Sequence, residues 1–155
     1  AVPIYVGKAA ASGSRKGTGR KNDKELFSRL REHTRSIKSA TTTLDIADFR
    51  VRYLRVKDIW IPLGEYGLIN RYKPLWNRVI DGFGNHDQGS GRKDQTRSPW
   101  DMLHPGRKFA AKLSPHPDGV ELIRDRVREA IDAIVASRPI PEELLTVSED
   151  EALED

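Results

Sequence analysis

The sequence predicts an α+β fold in which helices flank a small antiparallel β-sheet. Two short segments rich in β-branched residues predict strands, VPIYVGK at residues 2–8, centred on Ile4–Gly7, and FRVRYLRV at Phe49–Val56. Two longer segments, residues 23–39 and 118–137, place apolar side chains at helical spacing. A chain of 155 residues fits one domain that contains both kinds of element.

Composition excludes several classes of protein. Hydrophobic residues make up 37% and charged residues 32%, which is typical of a soluble globular protein, and no apolar run approaches the roughly 20 residues of a membrane span. The absence of cysteine excludes a disulfide scaffold, thiolate catalysis and a cysteine-ligated zinc site. No signal peptide is visible, so we expect a reducing, cytoplasmic location.

The net charge of +4 conceals an asymmetry along the chain. Residues 140–155 contain seven acidic side chains and no basic one, so the remainder has 27 basic against 16 acidic residues. A body this basic favours a polyanionic partner. Nucleic acid comes ahead of a membrane because no basic amphipathic helix with a large apolar face is present. A merely solvated basic surface is the alternative.

The first predicted strand leads into a basic, glycine-rich loop. Pro3 lies near the start of the strand, where a missing N–H is tolerated, and Gly7 ends or bends it. Residues 9–22 have no periodic pattern, which predicts a mobile loop. A flexible loop with incidental charge and a phosphate-binding loop are equal alternatives. The residues that suit phosphate contacts are Arg15, Lys16, Arg20 and Lys21.

Residues 23–39 give the clearest helix signal. Asn22 or Asp23 caps an apolar stripe made of Leu26, Phe27, Leu30, Thr34 and Ile37. Arg29 and His33 are four residues apart, so they lie one turn apart on one face of the helix. A cation beside an imidazole can bind a phosphate and transfer a proton. An ordinary pair of surface side chains is the alternative from these residues alone.

The second predicted strand, Phe49–Val56, alternates apolar residues with Arg or Tyr. This alternation predicts a half-buried strand with one polar face. Its arginines are explained equally well by a solvated face and by contact with DNA.

Glu65 lies in the otherwise apolar, helix-like segment IWIPLGEYGLINRYKPLWN, residues 59–77. On a helix that begins near Pro62, Glu65 falls beside the stripe that contains Leu63 and Tyr66. A carboxylate in these surroundings needs a partner, which is either a structural ion pair or hydrogen bond, or a metal ion in a cleft. The segment alone leaves both open.

Residues 81–107 form a long segment rich in Gly, Pro and polar residues, which predicts a functional loop. His86 and Asp87 imitate part of a metal site, but no second histidine lies at ligand spacing. Basic residues interleaved with Trp100 better fit a loop that enters a DNA groove. The DNA contacts predicted here are Asn85, His86, Arg92, Lys93, Arg97, His104 and Arg107.

The chain ends with an amphipathic helix and an acidic segment. Residues 118–137 place Val120, Ile123, Val127 and Ile131 on one side, which predicts a core helix or a dimer-packing helix. Residues 140–155 show no packing face, so we expect a frayed acidic tail.

Tyr5-Val6-Gly7 followed by Lys8 resembles the second half-motif of the GIY-YIG nucleases. The downstream order agrees with that superfamily, with Arg29-x3-His33 on the next helix, then Glu65, and Asn77 twelve residues beyond it. The segments GFGNHDQGSGR and SPWDMLHPGR are similar to the branch of type II restriction endonucleases that share the palindromic SacII site, CCGCGG. The resemblance covers roughly residues 2–108.

The resemblance implies a metal-dependent hydrolysis of phosphodiester bonds in double-stranded DNA. Glu65 would bind one Mg²⁺, for which Mn²⁺ can substitute, and Arg29 would neutralise the attacked phosphate. Tyr5 would orient or deprotonate the water, His33 would take the position of another Tyr, and Asn77 would fix the site by hydrogen bonding. Lys8 would join the DNA contacts. A palindromic site also implies a homodimer.

The superfamily's first half-motif, a strand with its own Tyr, belongs immediately upstream of Tyr5, and the sequence lacks it. We therefore expect residues 1–139 to be an N-terminally truncated GIY-YIG-like nuclease domain that is inactive on its own, followed by the tail at 140–155. The alternatives are a DNA-binding module without cleavage and a repair or homing nuclease of the same superfamily. Substitution of Glu65 separates an enzyme from a binding module.

Overall fold

The computed structural model describes residues 2–9, 24–85 and 95–146. Within these ranges the chain forms five α-helices joined by irregular segments and single 3₁₀ turns. The helices are α1 (Glu25–Ser39), α2 (Ile61–Tyr72), α3 (Leu75–Arg78), α4 (Pro99–Leu103) and α5 (Gly119–Val135). The 3₁₀ turns are Ile46–Asp48, Asp58–Trp60, Ala110–Lys112 and Glu142–Leu144. Among the described helices, none combines the length and apolar character needed to cross a bilayer.

The predicted antiparallel sheet is wrong for the part of the chain that the structure describes, which is helical and contains no β-strand. Its nearest approach to a sheet is an isolated parallel bridge between Thr96 and Ser114. The backbone of residues 2–8 bonds to α3 instead of to a strand. Trp76 N donates to Ile4 O at 2.9 Å, and Asn77 bonds to Val6 through its side chain. The bonds that a sheet would have made are therefore partly supplied by a helix.

The second predicted strand, Phe49–Val56, also forms no strand in the described structure. Val51, Tyr53 and Leu54 are 62%, 68% and 73% exposed, so the alternating pattern has no buried face here. An alternating sequence becomes a strand only when another strand or a packing layer covers one face. Phe49 packs against Trp76 with ring centroids 5.6 Å apart. Residues 50–56 are all exposed, so no layer covers one face of the rest of the segment and the prediction fails for that reason.

The helix predicted at residues 23–39 is confirmed as α1. Only the C-terminal end of its apolar stripe is buried, at Ile37, while Phe27 in the first turns is 66% exposed. The predicted caps, Asn22 and Asp23, lie outside the described residues. The helix predicted at 118–137 is confirmed as α5, which buries Ile123, Ala130 and Ala133.

The hydrophobic core forms where α3, α4 and α5 meet the end of α1. Trp100 of α4 is fully buried, as are Val79 and Ile80 after α3, and they pack with Ile123 of α5. Burial of a large apolar side chain stabilises the folded state by about 1.5–3 kcal/mol relative to leaving it exposed. Two of the helices that contribute to this burial, α3 and α4, are short, and Ile140 and Leu144 after α5 complete the core.

Two local expectations are corrected. Residues 81–107 are not entirely irregular, because α4 begins after Ser98, whose hydroxyl accepts from Asp101 N at 3.2 Å. The sequence Ser-Pro-Trp-Asp contains this N-terminal signal, a cap followed by proline at the first helical position. The segment after residue 139 also packs in part, since Ile140 and Leu144 are buried in the core. Residues 147–155 lie outside the described residues.

Candidate active site

Tyr5, His33 and Phe83 form one aromatic cluster. The His33 ring stacks on Phe83 with centroids 4.6 Å apart, and Tyr5 meets both rings edge-on, at 5.1 Å from His33 and 4.9 Å from Phe83. Tyr5 comes from the N-terminal segment, His33 from α1 and Phe83 from the turn after α3. Packing between these elements therefore brings together two of the residues that the motif predicted, with Phe83 beneath them.

Two glycines leave room for the Tyr5 side chain. A Cβ atom at Gly7 would lie 2.7 Å from Tyr5 Oη, and one at Gly84 would lie 2.9 Å from Oη and 3.1 Å from Arg29 Nη2. Both separations are shorter than ordinary van der Waals contact, so a side chain at either position would displace the phenol. Gly84 was not predicted as a site residue, although the Gly-Phe-Gly sequence around it signals a close approach.

Arg29 is anchored at one side of its guanidinium and unsatisfied at another. Nη2 donates to Gly84 O at 3.3 Å, and Nη1 pairs with Glu32 at 3.3 Å. Arg29 Nε is buried and has no hydrogen-bond partner in the described structure. A buried donor without a partner costs free energy. The side chain as a whole is 26% exposed, so an anionic oxygen can approach the open part of the guanidinium. The position of Arg29 beside Tyr5 thus suits a phosphate.

The two titratable side chains of the cluster are both held in their neutral forms. Burial raises the pKa of Tyr5, the charge and hydrogen bond of Arg29 oppose this shift, and the charge of Glu65 adds to it. Burial lowers the pKa of His33 to about 4, with Arg29 acting in the same direction and Glu32 against it. Near neutral pH, Tyr5 is therefore a hydrogen-bond donor, whereas His33 is a neutral imidazole that can accept a proton.

Glu65 has a partner in Lys8. Lys8 Nζ lies 2.5 Å from Glu65 Oε2, and the side chains are 36% and 19% exposed, respectively. This ion pair accounts for a carboxylate in the otherwise apolar sequence of α2. The Glu65 charge also acts on the pKa of Tyr5, so the carboxylate belongs to the same region as the aromatic cluster.

The donor set around Glu65 fits one kind of metal ion. The described residues contain no group of three or more His, Cys, Asp or Glu side chains placed to hold a metal. A site with one protein carboxylate is compatible with Mg²⁺, which keeps several waters and takes phosphate oxygens from a substrate. The Glu65 carboxylate already pairs with one cation, the ammonium of Lys8.

Asn77 fixes the segment that contains Tyr5. Its Oδ1 accepts from Val6 N at 2.8 Å, and its Nδ2 donates to Val6 O at 2.9 Å. A side-chain amide offers the same donor and acceptor as a peptide group, so Asn77 bonds to Val6 as a neighbouring strand would. Val6 lies between Tyr5 and Gly7, and both are thereby held against α3.

The predicted DNA contacts other than Arg107 divide into three groups. Lys8 lies at the site, while Asn85 is exposed on the turn that follows Phe83. His104 and Arg97 make internal contacts, His104 with the Thr43 hydroxyl at 2.9 Å and Arg97 with the carbonyl groups of Ala110 and Ala111. The remaining predicted contacts, Arg15, Lys16, Arg20, Lys21, His86, Arg92 and Lys93, lie outside the described residues.

Arg107, which was also predicted to contact DNA, is only 5% exposed. All five of its N–H donors are bonded within the protein, two to the Asp101 carboxylate and three to backbone carbonyl groups. No donor of this guanidinium is left for a base or a phosphate. The signal for a buried role was weak, since an arginine after His-Pro-Gly in a polar segment is typical of an exposed loop.

Comparison with known proteins places these residues in a family. The model of the Eco29kI GIY-YIG domain matches residues 1–131. This match confirms the resemblance to the GIY-YIG nucleases, and its range includes Tyr5, Arg29, His33, Glu65 and Asn77. A search of curated proteins found no match.

Proposed function

Because this chain belongs to the Eco29kI family of GIY-YIG restriction endonuclease domains, we propose that it is a type II restriction endonuclease that hydrolyses phosphodiester bonds in double-stranded DNA. Eco29kI itself recognises CCGCGG. We propose that this chain likewise cleaves DNA at a GC-rich palindrome such as CCGCGG. A palindrome is read most simply by a two-fold symmetric homodimer.

The observation that carries the proposal is the unsatisfied Arg29 guanidinium beside two neutral proton-transfer groups. Arg29 Nε is a buried donor without a partner, and the Tyr5 hydroxyl and the His33 ring lie next to it. A scissile phosphate at the exposed part of the Arg29 guanidinium would place its charge close to that donor. A positioned cation stabilises the additional negative charge that develops on a phosphate during hydrolysis.

Proton transfer is assigned to His33 and orientation to Tyr5. The pKa of His33 is lowered to about 4, so near neutral pH the imidazole is free to take a proton from the attacking water. The raised pKa of Tyr5 keeps its hydroxyl protonated, so it can donate a hydrogen bond to the water or to a phosphate oxygen. These roles favour His33 over Tyr5 as the base.

Glu65 is the residue that would hold Mg²⁺, or Mn²⁺ in its place. When bound there, the ion would supply positive charge to the phosphate and act as a Lewis acid. Lys8 neutralises Glu65 in the absence of the ion, and the same lysine could then move to the DNA backbone. Asn77 acts on none of the reacting atoms and keeps Tyr5 in place through Val6.

The test of this function is Glu65→Gln in the complete protein. We expect the variant to lose Mg²⁺-dependent cleavage while its DNA affinity stays within about tenfold of the wild type, or about 1.4 kcal/mol, because Glu65 serves the metal and not the DNA. Plasmid cleavage and a filter-binding or anisotropy titration measure the two effects. Glu121→Gln is the matched control, since Glu121 forms an exposed ion pair with Arg124 on α5.

Three results distinguish the proposed enzyme from its rivals. Sequencing of the DNA ends after plasmid digestion should show one short palindrome, whereas cutting without such a preference indicates a repair or homing nuclease. DNA binding by the complete wild-type protein without any cutting indicates a binding module. Substantial Mg²⁺-dependent cutting by Glu65→Gln would contradict the assignment of the metal to Glu65.

A further inference from the structure

Arg107 is a buried cation that the proposed reaction does not use. Its Nε and Nη2 donate to the two oxygens of Asp101 at 2.6 and 2.7 Å, and its guanidinium lies 4.5 Å from the centroid of the Trp100 ring. A buried ion pair of this kind is weak evidence for stability, because removing two charges from water offsets much of their attraction. The place of Arg107 in the fold therefore calls for another explanation.

The three remaining donors of Arg107 all bond to one turn of the chain. Nη2 donates to Gly82 O at 2.9 Å, and Nη1 donates to Phe83 O at 3.2 Å and to Asn85 O at 2.9 Å. A planar guanidinium presents its donors in a fixed fork, so these bonds set the conformation of residues 82–85. We call these four residues the 82–85 turn.

The 82–85 turn contacts the candidate active site at two points. The Phe83 ring stacks on His33 with centroids 4.6 Å apart, and the Gly84 carbonyl accepts from Arg29 Nη2 at 3.3 Å. Movement of the turn would thus shift a ring beneath His33 and remove an anchor from Arg29.

Arg107 is itself fixed relative to α1, the helix that contains Arg29 and His33. The residue before it, Gly106, has φ +140°, and a Cβ atom there would lie 1.8 Å from the Ser39 carbonyl at the end of α1. Only glycine allows so close an approach in this conformation. The chain at Arg107 therefore rests on α1 while its side chain holds the 82–85 turn.

We infer that Arg107 is a positioning residue for DNA cleavage, which acts through the 82–85 turn to hold Arg29 and His33 in their working arrangement. This inference rests on the proposed function. Arg107 touches neither the substrate nor the reacting atoms. Asp101 belongs to the same unit, because its carboxylate orients the guanidinium and receives a further hydrogen bond from the Ser98 hydroxyl at 2.8 Å.

The test uses Arg107→Lys, which retains the positive charge but loses the fork. We expect the single-turnover rate of DNA cleavage to fall at least tenfold, while the DNA dissociation constant stays within about threefold. The second readout is the pKa of His33, followed by NMR of its ring protons. The His33 pKa should rise from about 4 toward 6.5 as Phe83 moves away from the ring. Because Lys retains the positive charge of Arg107, the rise reports a change in position and not a change in charge.

Arg126→Lys is the matched control, because Arg126 pairs with Asp118 at 2.7 Å on α5, away from the site. It should leave both the cleavage rate and the His33 pKa unchanged. Thermal melting of each variant separates loss of folding from loss of positioning, since both readouts are taken well below the melting temperature. An arginine that only stabilises the fold would lower the melting temperature without changing either readout.

Arg107→Lys with a wild-type cleavage rate and a wild-type His33 pKa would overturn the inference. If Arg107→Lys does not fold, Asp101→Asn, which preserves the shape of the carboxylate, is judged by the same two readouts. If the complete wild-type protein does not cut DNA, the proposed function fails, and the His33 pKa still decides. A raised His33 pKa in the variant then supports the inference that Arg107 positions this cluster, and an unchanged His33 pKa refutes it.

Discussion

His33 acquires its chemistry from residues that come from other elements. Phe83 stacks on its ring, Tyr5 covers its edge, and Arg29 adds a positive charge one turn away. Each of these neighbours disfavours the imidazolium, either by removing water or by charge repulsion. The result is an imidazole that stays neutral at a pH where an exposed histidine would be half protonated.

The stability of the protein should fall as the pH drops from 6.5 toward 4. In that window the unfolded His33 binds a proton and the folded one does not, so protonation favours unfolding. Above 6.5 both forms are neutral and the effect is absent. Burial lowers the pKa of His104 to about 4 as well, so it contributes in the same window.

His33→Gln should therefore reduce, but not remove, the difference between the melting temperatures near neutral pH and near pH 5. Differential scanning fluorimetry at the two pH values measures this difference. His116→Gln provides the comparison, since His116 lies outside the aromatic cluster and has Asp118 as its neighbour. An identical pH dependence in wild type and His33→Gln would show that the ring is not buried in its neutral form.

The sequence names the candidate site residues but not the residues that surround them. Arg29 and His33 were placed on one face by their spacing alone, and Tyr5, Glu65 and Asn77 by their order in the chain. Phe83, Gly84 and Arg107 were missed in these roles because they act through contacts between residues far apart in the sequence. Spacing along one helix predicts which side chains share a face, and it contains no information about what packs on that face.

At the scale of elements, α2 contrasts with the rest of the described structure. None of its side chains is buried, and Leu63 and Tyr66, in the stripe predicted for it, are 58% and 48% exposed. The helix forms locally nevertheless, with a proline in its first turn and a left-handed residue, Lys73, at its C-cap. Its existence could be predicted from the sequence, whereas its packing could not.

Gly67→Ala should stabilise α2. Gly67 lies inside the helix, a Cβ atom there would meet nothing within 4 Å, and alanine is favoured over glycine in a helix by about 1 kcal/mol. Thermal or urea unfolding should show a melting temperature higher by about 2–4 °C if α2 unfolds together with the core.

Gly119→Ala is the control for this substitution. Gly119 begins α5 and also has open space around it, but its φ is +69°, so an alanine there is strained and should destabilise the protein. Stabilisation by both substitutions, or by neither, would contradict this account of α2.

The failure of the predicted sheet belongs to the same scale. Residues 2–8 and 49–56 have the composition of strands, yet a strand is defined by its partner, and pairing is not encoded within either segment. The side chain of Asn77 makes the two hydrogen bonds to the Val6 backbone that a partner strand would otherwise make. The sequence alone does not predict these bonds, because it does not give the distance between α3 and the N-terminal segment.

At the scale of the whole molecule, charge governs the expected encounter with DNA. The basic residues outnumber the acidic ones over most of the sequence, and the acidic excess is confined to its end. Release of counterions from DNA phosphates then supplies a large part of the affinity and makes it depend on salt. The family assignment and the charge distribution thus point to the same partner by independent routes.

DNA binding should weaken steeply as the salt concentration rises. If about six phosphate contacts form, the logarithm of affinity should fall against the logarithm of salt with a slope of about −5. The basic residues that we expect to make them are Arg15, Lys16, Arg20, Lys21, Arg92 and Lys93. Replacing Arg15 and Lys16 by Gln should reduce the steepness by about two, as measured by anisotropy titrations. A slope near zero would show that these residues do not face DNA.

The sparse packing of α2 has a consequence for the affinity of the metal. Under the proposed function Glu65 holds the metal, and it belongs to a helix that buries none of its side chains. We therefore expect a fraction of the molecules to hold this carboxylate away from Tyr5. The apparent dissociation constant for Mg²⁺ is then the intrinsic constant divided by the fraction of molecules with α2 in place. DNA that contacts both α2 and α1 would raise that fraction, so the free protein would bind the ion weakly and the DNA-bound protein more tightly, without any change in the ligands themselves.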